Sequence, residues 1–422
     1  MIVDDYTIVI VFNQPSWRWE FSLLNDGRGS PIVVPKHVWE GQDPDTFKNY
    51  PPIGTGPYVL VSASSEAFIY KRNDNYWGKE IHGLPKPKYI IYQWVPEKEV
   101  QMMKLMDNEM DLGLGFTADE YYSMKETNPD LKVWSETPPH FLPDITLSAI
   151  AVNLDMYPFN YSEVRWAISY AINRKRIINT VSPGVMVNND GTPWATFYHS
   201  LDVFENRTAV AIWNTTEYNP EKSIQLLESL GFTRGEDGIF VTPNGTRLSF
   251  VYHVWDSPED RAAAQLVQED LRAVGIEVEL KFVRDWAYWS IWATGTYEML
   301  RDFESFANPF DPYSLWVLYN NTYIVPRGQW TWFNRWRWNN TEFSKLVGQL
   351  EDLSLHTNRS LYIDICRKLH MLWLKDLPWI PLWFGGGLAP CYNTHYWTGW
   401  PDAENSYAYP YYFANFLFVL FN

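Results

Sequence analysis

Residues 248–282, LSFVYHVWDSPEDRAAAQLVQEDLRAVGIEVELKF, decide the fold of this chain. Residues 248–254 are rich in β-branched and aromatic side chains, which is typical of a strand. A helix is predicted from Pro258, since proline is favoured at the first helical position, to a stop at Gly275. Residues 276–282 then alternate apolar and polar side chains, which predicts a second strand. Strand, helix and strand in this order form a βαβ unit, so the sheet is predicted to be at least partly parallel with a right-handed crossover.

Further elements are predicted on both sides of this unit. Asn219 before Pro220 indicates a helix start, and Asn160 with Glu163 three residues on resembles a capping box. The Asn-Gly dipeptide at residues 244–245 predicts a hairpin turn. The remaining predictions are strands over residues 6–12, 58–61, 67–71, 88–95 and 413–421, and helices whose apolar stripes cover residues 100–106, 343–350 and 362–372.

Residues 285–338 combine flat aromatic rings with hydrogen-bonding side chains. The stretch holds eight tryptophans, and Asp, Asn and Arg residues lie among them. Tryptophan is seldom completely buried and its indole N–H requires a partner, so this mixture is poor material for a dry core. A sugar ring, by contrast, offers an apolar face to an indole and an edge of hydroxyls to the polar groups. The alternative reading is that most of these rings pack irregular loops.

Composition and motifs limit the classes of function. The net charge of −16 argues against a nucleic-acid partner, which would require a basic surface. The eight histidines include no pair at helical spacing, so no histidine-built metal site, and no cofactor, is predicted. Carboxylates are plentiful, but nothing in the sequence places two of them about 5–10 Å apart, as a glycoside hydrolase requires. The two cysteines, Cys366 and Cys391, form one disulfide or remain two buried thiols.

Sequons for N-glycosylation indicate where the protein works. Their density favours an extracytoplasmic glycoprotein. The N-terminal residues lack the basic and apolar regions of a signal peptide, and no run of about 20 apolar residues could span a bilayer. The seven sequon asparagines are Asn160, Asn206, Asn214, Asn244, Asn320, Asn339 and Asn358.

A specific series of motifs resembles one known family. PPIGTGPY at residues 51–58 is followed by a hairpin, by RNDNYWG at 72–78, and by NEMD at 108–111. The segments at 153–178 and 378–384 continue the series in the same order. Together they resemble the extracytoplasmic solute-binding proteins of ABC transporters, family 5, the peptide, nickel and oligosaccharide class.

The resemblance implies an α/β fold with two lobes of the type II periplasmic-binding kind, in which helices flank mixed sheets. Lobe one is expected at residues 1–145, lobe two at 146–395, and a return to lobe one at 396–422. Family members carry a long N-terminal section before the strand that begins this chain. Lobe one is therefore expected to be incomplete, with apolar surface exposed where its partners should lie.

The resemblance also frames the choice of ligand. Peptide binders of the family hold the ligand's ammonium with an aspartate whose position is about Ala307 here, and Asp302 and Asp311 are the nearby alternatives for that role. Trp292 stands near a position where a peptide binder can carry a basic residue. The sequence WTGWP, which begins at Trp397, resembles the ending of the cello-oligosaccharide binders. The favoured function is the capture of an oligosaccharide such as cellobiose, which is left chemically unchanged and delivered to an ABC permease. Binding of a peptide is the second hypothesis, and a glycoside hydrolase is the third.

Ligand-binding residues are predicted in three groups. The stacking rings are Trp255, Trp289, Trp292, Phe303 and Trp383. The partners for hydroxyls are Arg301, Asp302 and Asn308. Trp397 and Trp400 shape the cleft or brace the crossover. The protein is expected to work as a monomer that closes by hinge motion on an uncharged ligand.

Overall fold

A computed structural model describes residues 2–4, 6–13, 17–18, 34–141, 146–188, 199–305, 311–356, 358–384 and 390–405. The predicted ligand contact Asn308 and the predicted strand at 413–421 lie outside the described residues.

The described elements alternate strands and helices along the chain. The strands are β1 Ile2–Asp4, β2 Thr7–Ile8, β3 Tyr58–Ala63, β4 Ala67–Arg72, β5 Tyr89–Gln93, β6 Leu112–Gly113, β7 Leu131–Lys132, β8 Thr146–Val152, β9 Val187–Asn188, β10 Thr233–Arg234, β11 Phe240–Val241, β12 Ser249–Trp255, β13 Glu277–Val283, β14 Met299–Ser305, β15 Trp379–Phe384 and β16 Cys391–Asn393. The helices are α1 Lys36–Trp39, α2 Lys79–His82, α3 Lys98–Met106, α4 Ala118–Thr127, α5 Ser162–Ala171, α6 Arg174–Val181, α7 Arg207–Ile212, α8 Pro220–Ser229, α9 Pro258–Ala273, α10 Asp285–Thr294, α11 Tyr313–Trp316, α12 Thr341–Glu351 and α13 Arg359–Asp376. Short 3-10 helices cover His199–Phe204, Val317–Tyr319 and Asn321–Tyr323.

The chain divides into two compact units. Unit one contains residues 1–19 and 143–386, and unit two contains residues 20–142 and 387–422. A compact unit is not by itself a lobe of a binding protein. The lobe boundaries expected at residues 145 and 395 therefore stay predictions.

Unit one is built on a six-stranded sheet in the order β13-β12-β14-β8-β15-β9. Strand β12 pairs in parallel with β13 along its whole length and with β14 at Tyr252 and His253. The predicted βαβ unit is confirmed, since α9 connects β12 to β13. Strand β8 runs antiparallel to both of its neighbours, β14 and β15. The sheet is therefore mixed, with a parallel portion that ends at one edge.

The core of unit one lies on both faces of its central strands. All six residues of β15 are buried, as are Ala149 to Val152 of β8. Such continuous apolar runs are typical of strands covered by helices on both sides. Buried residues of α5, α9 and α13 belong to the same hydrophobic cluster. Four tryptophans in this unit, Trp316, Trp336, Trp373 and Trp379, are completely buried, so a large part of the aromatic content serves packing.

Local signals predicted two helix starts in this unit correctly and a third wrongly. Asn219 and Ser257 each accept a backbone hydrogen bond at the starts of α8 and α9, as expected. The capping box at Asn160 is wrong, because α5 begins at Ser162 and its N-cap residue is Tyr161, which makes no side-chain cap hydrogen bond. The strand predicted over residues 6–12 is shorter, since only Thr7–Ile8 pairs, and it pairs with exposed Ile2–Asp4.

Unit two contains two small sheets. Strands β3, β4 and β5 form an antiparallel meander, which confirms the predicted hairpin, and β6, β16 and β7 form the second sheet. Cys391 on β16 is a buried free thiol, and Cys366 on α13 of unit one is another, which decides against the disulfide. The meander carries exposed apolar side chains on several strands, namely Val59, Val61, Phe68, Tyr89 and Ile91.

Candidate functional site

The parallel strands of unit one end at a single edge of the sheet. Strand β12 ends at Trp255 and β13 at Val283, and α10 begins at Asp285 directly after β13. Ligands of open α/β sheets bind outside the carboxyl ends of the strands. A ligand site is therefore expected at this carboxyl edge.

Three predicted stacking rings meet at the carboxyl edge. The ring of Trp289 lies 6.5 Å from that of Trp255 and 5.6 Å from that of Phe303. All three rings are partly buried against the core, so each keeps some exposed surface. Tyr288 lies beneath them, fully buried, with its ring 5.1 Å from Trp255. We call Trp255, Trp289 and Phe303 the aromatic platform.

Arg301 holds a fixed position beside the platform. Its Nε donates to Asp260 at 2.7 Å, and its Nη2 donates to the hydroxyl of Ser148 at 3.2 Å. Burial is the largest single influence and lowers the pKa of Arg301, but Asp260 together with Tyr288 and Tyr252 raises it, so the pKa lies above its ordinary value. The predicted hydroxyl partner is thus a permanent cation, half-buried, 5.5 Å from the Phe303 ring centroid.

A row of side chains crosses four strands at the level of the platform. Phe303 of β14 lies opposite Ser148 of β8, and Ser148 lies opposite Trp383 of β15. Trp383 in turn lies opposite Asn188 of β9. Residues directly opposite in antiparallel strands project from the same face. We call Phe303, Ser148, Trp383 and Asn188 the edge row.

Two predicted ligand contacts, Asp302 and Trp292, lie instead in the interior. Asp302 is fully buried and accepts hydrogen bonds from the indole N–H groups of Trp292 at 2.7 Å, Trp336 at 2.9 Å and Trp379 at 2.9 Å. Arg335 donates to both oxygens of the same carboxylate at 3.2 Å. We call these five residues the Asp302 cluster. A carboxylate with this many donors is satisfied within the protein.

The cluster is also closed by stacking. The guanidinium carbon of Arg335 lies 4.0 Å from the centroid of Trp292 and 4.1 Å from that of Trp336. Trp292 is 5% exposed, and its ring is 5.7 Å from that of Trp289. This burial is at odds with direct contact of Trp292 or Asp302 with a ligand. Their position is that of a support directly behind the platform.

Trp383 and Trp400 also differ from free stacking surfaces. Trp383 is only 3% exposed, so it cannot present an open ring face. Trp400 belongs to unit two, where its ring stacks on Tyr392 at 5.3 Å and its indole donates to the carbonyl of Asn393. These contacts hold Trp400 within unit two, and its predicted role at the cleft or the crossover stays a prediction.

The sequons differ widely in accessibility. Asn320 is 8% exposed, and Asn206 caps α7 with its side chain, so neither side chain is freely available for a glycan. Exposed positions are Asn160, Asn214, Asn244, Asn339 and Asn358. Whether any carries a glycan stays a prediction.

The opposite edge of the sheet has a polar cavity. It has a volume of about 670 Å³ and is lined by residues that follow β8 or precede β15, among them Asp155, Arg165, Arg337 and Asp376. Arg165 donates to the backbone carbonyls of Asp376, Leu377 and Phe159, and Arg337 to those of Arg335 and Thr294. These cations serve the backbone, so we place the candidate site at the platform. Within the part of the chain that the structure describes, no cluster of three or more His, Cys, Asp or Glu residues could hold a metal ion.

Sequence reasoning missed Ser148, Asn188, Arg335, Trp336 and Trp379 as parts of this region. The alternation of β8 could have shown that Ser148 is the polar residue in an apolar strand. No local signal distinguishes Asn188, because β9 has two residues.

Mixed α/β units with rings gathered at the carboxyl ends of parallel strands fit the architecture of a ligand-binding protein of the periplasmic-binding class. The model of the bacterial extracellular solute-binding proteins, family 5, matches residues 2–324, and this chain belongs to that family. None of the helices that the structure describes is both long enough and apolar enough to cross a membrane.

Solved structures show the same type II fold. The chain is similar to a periplasmic oligopeptide-binding protein of an oligopeptide ABC transporter from Thermotoga maritima, with 26% identity and a TM-score of 0.85. That match covers 98% of this chain and 76% of the other. A second structure of the Thermotoga maritima protein contains bound mannohexaose, and it matches with 26% identity and a TM-score of 0.77 over 93% of this chain and 73% of the other.

Relatives of known function bind other solutes. Heme-binding protein A of Haemophilus influenzae is 25% identical over 92% of this chain and 64% of its own length. The nickel-binding periplasmic protein of Escherichia coli is 24% identical over 64% of this chain and 50% of its own length. The chain thus spans between half and two thirds of the length of these two binding proteins.

Proposed function

We propose that this chain is the solute-binding component of an ABC importer and captures an uncharged oligosaccharide on the aromatic platform. A β-linked chain such as cellobiose is the favoured ligand class. The observation that carries the proposal is the meeting of three partly exposed rings, Trp255, Trp289 and Phe303, at the carboxyl edge. Hydrogen-bonding groups of Arg301 and Ser148 lie beside them. Rings with a few fixed polar groups are typical of sites for small neutral ligands.

The mannohexaose complex supports a sugar. The protein of Thermotoga maritima in that complex is similar to this chain over 93% of its length, although it is described as oligopeptide-binding. A name for peptide binding therefore does not exclude a sugar ligand in this family.

A peptide is the second candidate, since relatives are described as peptide-binding proteins. A peptide binder requires a carboxylate for the ligand's ammonium. Asp302 is satisfied by three indoles and Arg335. Asp311 is bonded to Arg18 at 2.6 Å and to the hydroxyl of Tyr362. Both carboxylates that could have replaced the ammonium partner are thus engaged, which favours the sugar.

The proposed mechanism is capture followed by delivery to membrane permease subunits outside the cytoplasm. Platform rings cover the apolar faces of the sugar, and fixed polar groups bond to its hydroxyls. The protein forms and breaks no covalent bond. Trp292 and Asp302 support the platform from behind, while Asn308 stays a predicted hydroxyl partner.

Isothermal titration calorimetry with mannohexaose, cellobiose and a tripeptide tests the proposal. We expect heat with at least one sugar and none with the tripeptide. Trp289→Ala should lower the affinity about tenfold or more, which corresponds to about 1.4 kcal/mol.

Trp286→Ala is the matched control, because Trp286 is on the same helix but is 71% exposed and stacks on Trp330. It should leave the affinity within about twofold of the unaltered chain, a change too small to indicate a lost contact. Heat with the tripeptide and none with either sugar would reverse the ranking of the two ligands.

A further inference from the structure

Two buried polar atoms at the end of the edge row have no hydrogen-bond partner. One is the indole Nε1 of Trp383, which is a donor, and the other is the side-chain Oδ1 of Asn188, which is an acceptor. Each unsatisfied buried polar group costs about 1–3 kcal/mol, and native proteins leave few of them. This pair therefore calls for an explanation.

The register of the sheet makes the two atoms complementary. Trp383 and Asn188 are directly opposite each other in the antiparallel pair β15–β9. Such residues have Cβ atoms about 4.5–5.5 Å apart and project from the same face. Among the described strand residues, His253 also has an unpartnered buried atom, but its neighbours in register, Lys281 and Leu300, have none. A donor and an acceptor without partners are thus placed side by side at this position alone among the described strands.

A hydroxyl group satisfies both atoms at once. It accepts a hydrogen bond from the indole N–H and donates its own hydrogen to the carboxamide oxygen. Two hydrogen bonds of about 2.8–2.9 Å allow one oxygen to bridge atoms up to roughly 5–6 Å apart, which suits opposite residues of neighbouring strands. A ligand carbonyl could only accept from the indole N–H of Trp383, and a ligand ammonium could only donate to the carboxamide oxygen of Asn188.

We propose that Trp383 and Asn188 form a subsite for one hydroxyl of the ligand. This inference rests on the proposed sugar-binding function, because it supplies the polar partner of the aromatic platform. Phe303 belongs to the same row, with Ser148 between it and Trp383. A sugar ring over Phe303 thus lies along the row of side chains that leads to the pair. A water molecule has the same chemistry, and the experiment separates the two.

The test is a double-mutant cycle in the full chain. Trp383→Phe keeps a ring but removes the N–H, and Asn188→Leu removes the acceptor at similar size. Each should weaken the affinity for mannohexaose about 5- to 10-fold by calorimetry, because the ligand hydroxyl loses one of its two hydrogen bonds. The double variant should bind more weakly than either single variant, because the hydroxyl then has no partner here, and the two losses should not simply add, since both residues bond to one hydroxyl. Trp373→Phe is the matched control, because its indole Nε1 is also buried without a partner but lies on α13. It should leave the affinity unchanged.

Three outcomes would overturn the subsite. If both variants bind mannohexaose as well as the unaltered chain does, the subsite fails while the proposed function stands. If they leave the affinity unchanged but lower the melting temperature of the ligand-free protein non-additively, the pair holds a structural water. If the unaltered chain gives no heat with mannohexaose or cellobiose, the proposed function fails and the subsite falls with it.

Discussion

Two regions of the same sheet differ in whether their buried polar groups have hydrogen-bond partners. In the Asp302 cluster, one carboxylate receives three indole N–H groups and a guanidinium, and its oxygens are satisfied. In the edge row, an indole N–H and a carboxamide oxygen lie opposite each other without partners. Asp302 pairs with Ala149, and Trp383 with Ser148, so the two regions differ by one residue along β8.

This difference distinguishes residues that support the aromatic platform from residues that contact a ligand. Aromatic and polar residues occur together in both regions, which is why composition suggested a single ligand site. A satisfied buried charge has no remaining capacity for a ligand, whereas complementary unsatisfied atoms do. Asp302 therefore acts as a support, and the residues that contact a ligand belong to the platform and the edge row.

The largest effect should come from Asp302→Asn. The amide nitrogen would face at least one indole N–H, and Arg335 would lose its counter-charge in the interior. We expect the free energy of unfolding to fall by about 3–5 kcal/mol, the usual cost of breaking a buried pair. Urea unfolding followed by tryptophan fluorescence measures this.

Asp155→Asn is the control for that variant, since its pair with Arg327 is about 40% exposed on both sides. It should cost less than about 1 kcal/mol. Equal losses for the two variants would show that the Asp302 cluster is not a special support.

An intermediate effect is expected from Trp379→Phe. The change removes one of the three indole donors to Asp302 and keeps a ring, so the free energy of unfolding should fall by about 1.5–3 kcal/mol. Trp379 has no ring contact with the platform among the described contacts, and its described ring neighbour is Trp336 at 6.3 Å. Calorimetry should therefore give an affinity for mannohexaose within about twofold of the unaltered chain. A tenfold loss of affinity would mean that support and contact are not separate.

The smallest effect, with the opposite sign, is expected from Asn188→Leu in the ligand-free protein. Replacing an unsatisfied buried oxygen by a methyl group of similar size removes a desolvation cost, so stability should rise by up to about 1 kcal/mol. Thermal unfolding without ligand measures the change. A clear loss of stability would indicate that Asn188 already has a partner in solution and would remove the contrast between the two regions.

Local sequence patterns predicted much of the fold but did not distinguish the buried tryptophans from the partly exposed ones. The βαβ unit and the caps at Asn219 and Ser257 depend on residues close in sequence, and they were predicted. Burial of Trp292 depends on Asp302 and Arg335, which meet it only in the folded unit. Trp289 and Trp292 are on the same helix and look equivalent in the sequence, yet one is partly exposed and the other sealed.

Long-range pairing was equally hidden at the edge row. The proposed role of Asn188 depends on its position opposite Trp383, which is almost half of the chain away in the sequence. Asp311, a candidate ammonium partner, is engaged by Arg18, which is 293 residues away in the sequence. Neither contact leaves a periodic or motif signal, so no reading of residue types alone could have found them.

The central claim is that the carboxyl edge of unit one binds an uncharged sugar through the aromatic platform. Calorimetric titration of mannohexaose into the unaltered chain and Trp289→Ala, at low and high salt, tests it most directly. We expect binding that is lost or weakened about tenfold in Trp289→Ala and that hardly changes with salt, since a neutral ligand has no charge for salt to screen. Equal affinity for the two chains, or binding that collapses at high salt, would contradict the claim.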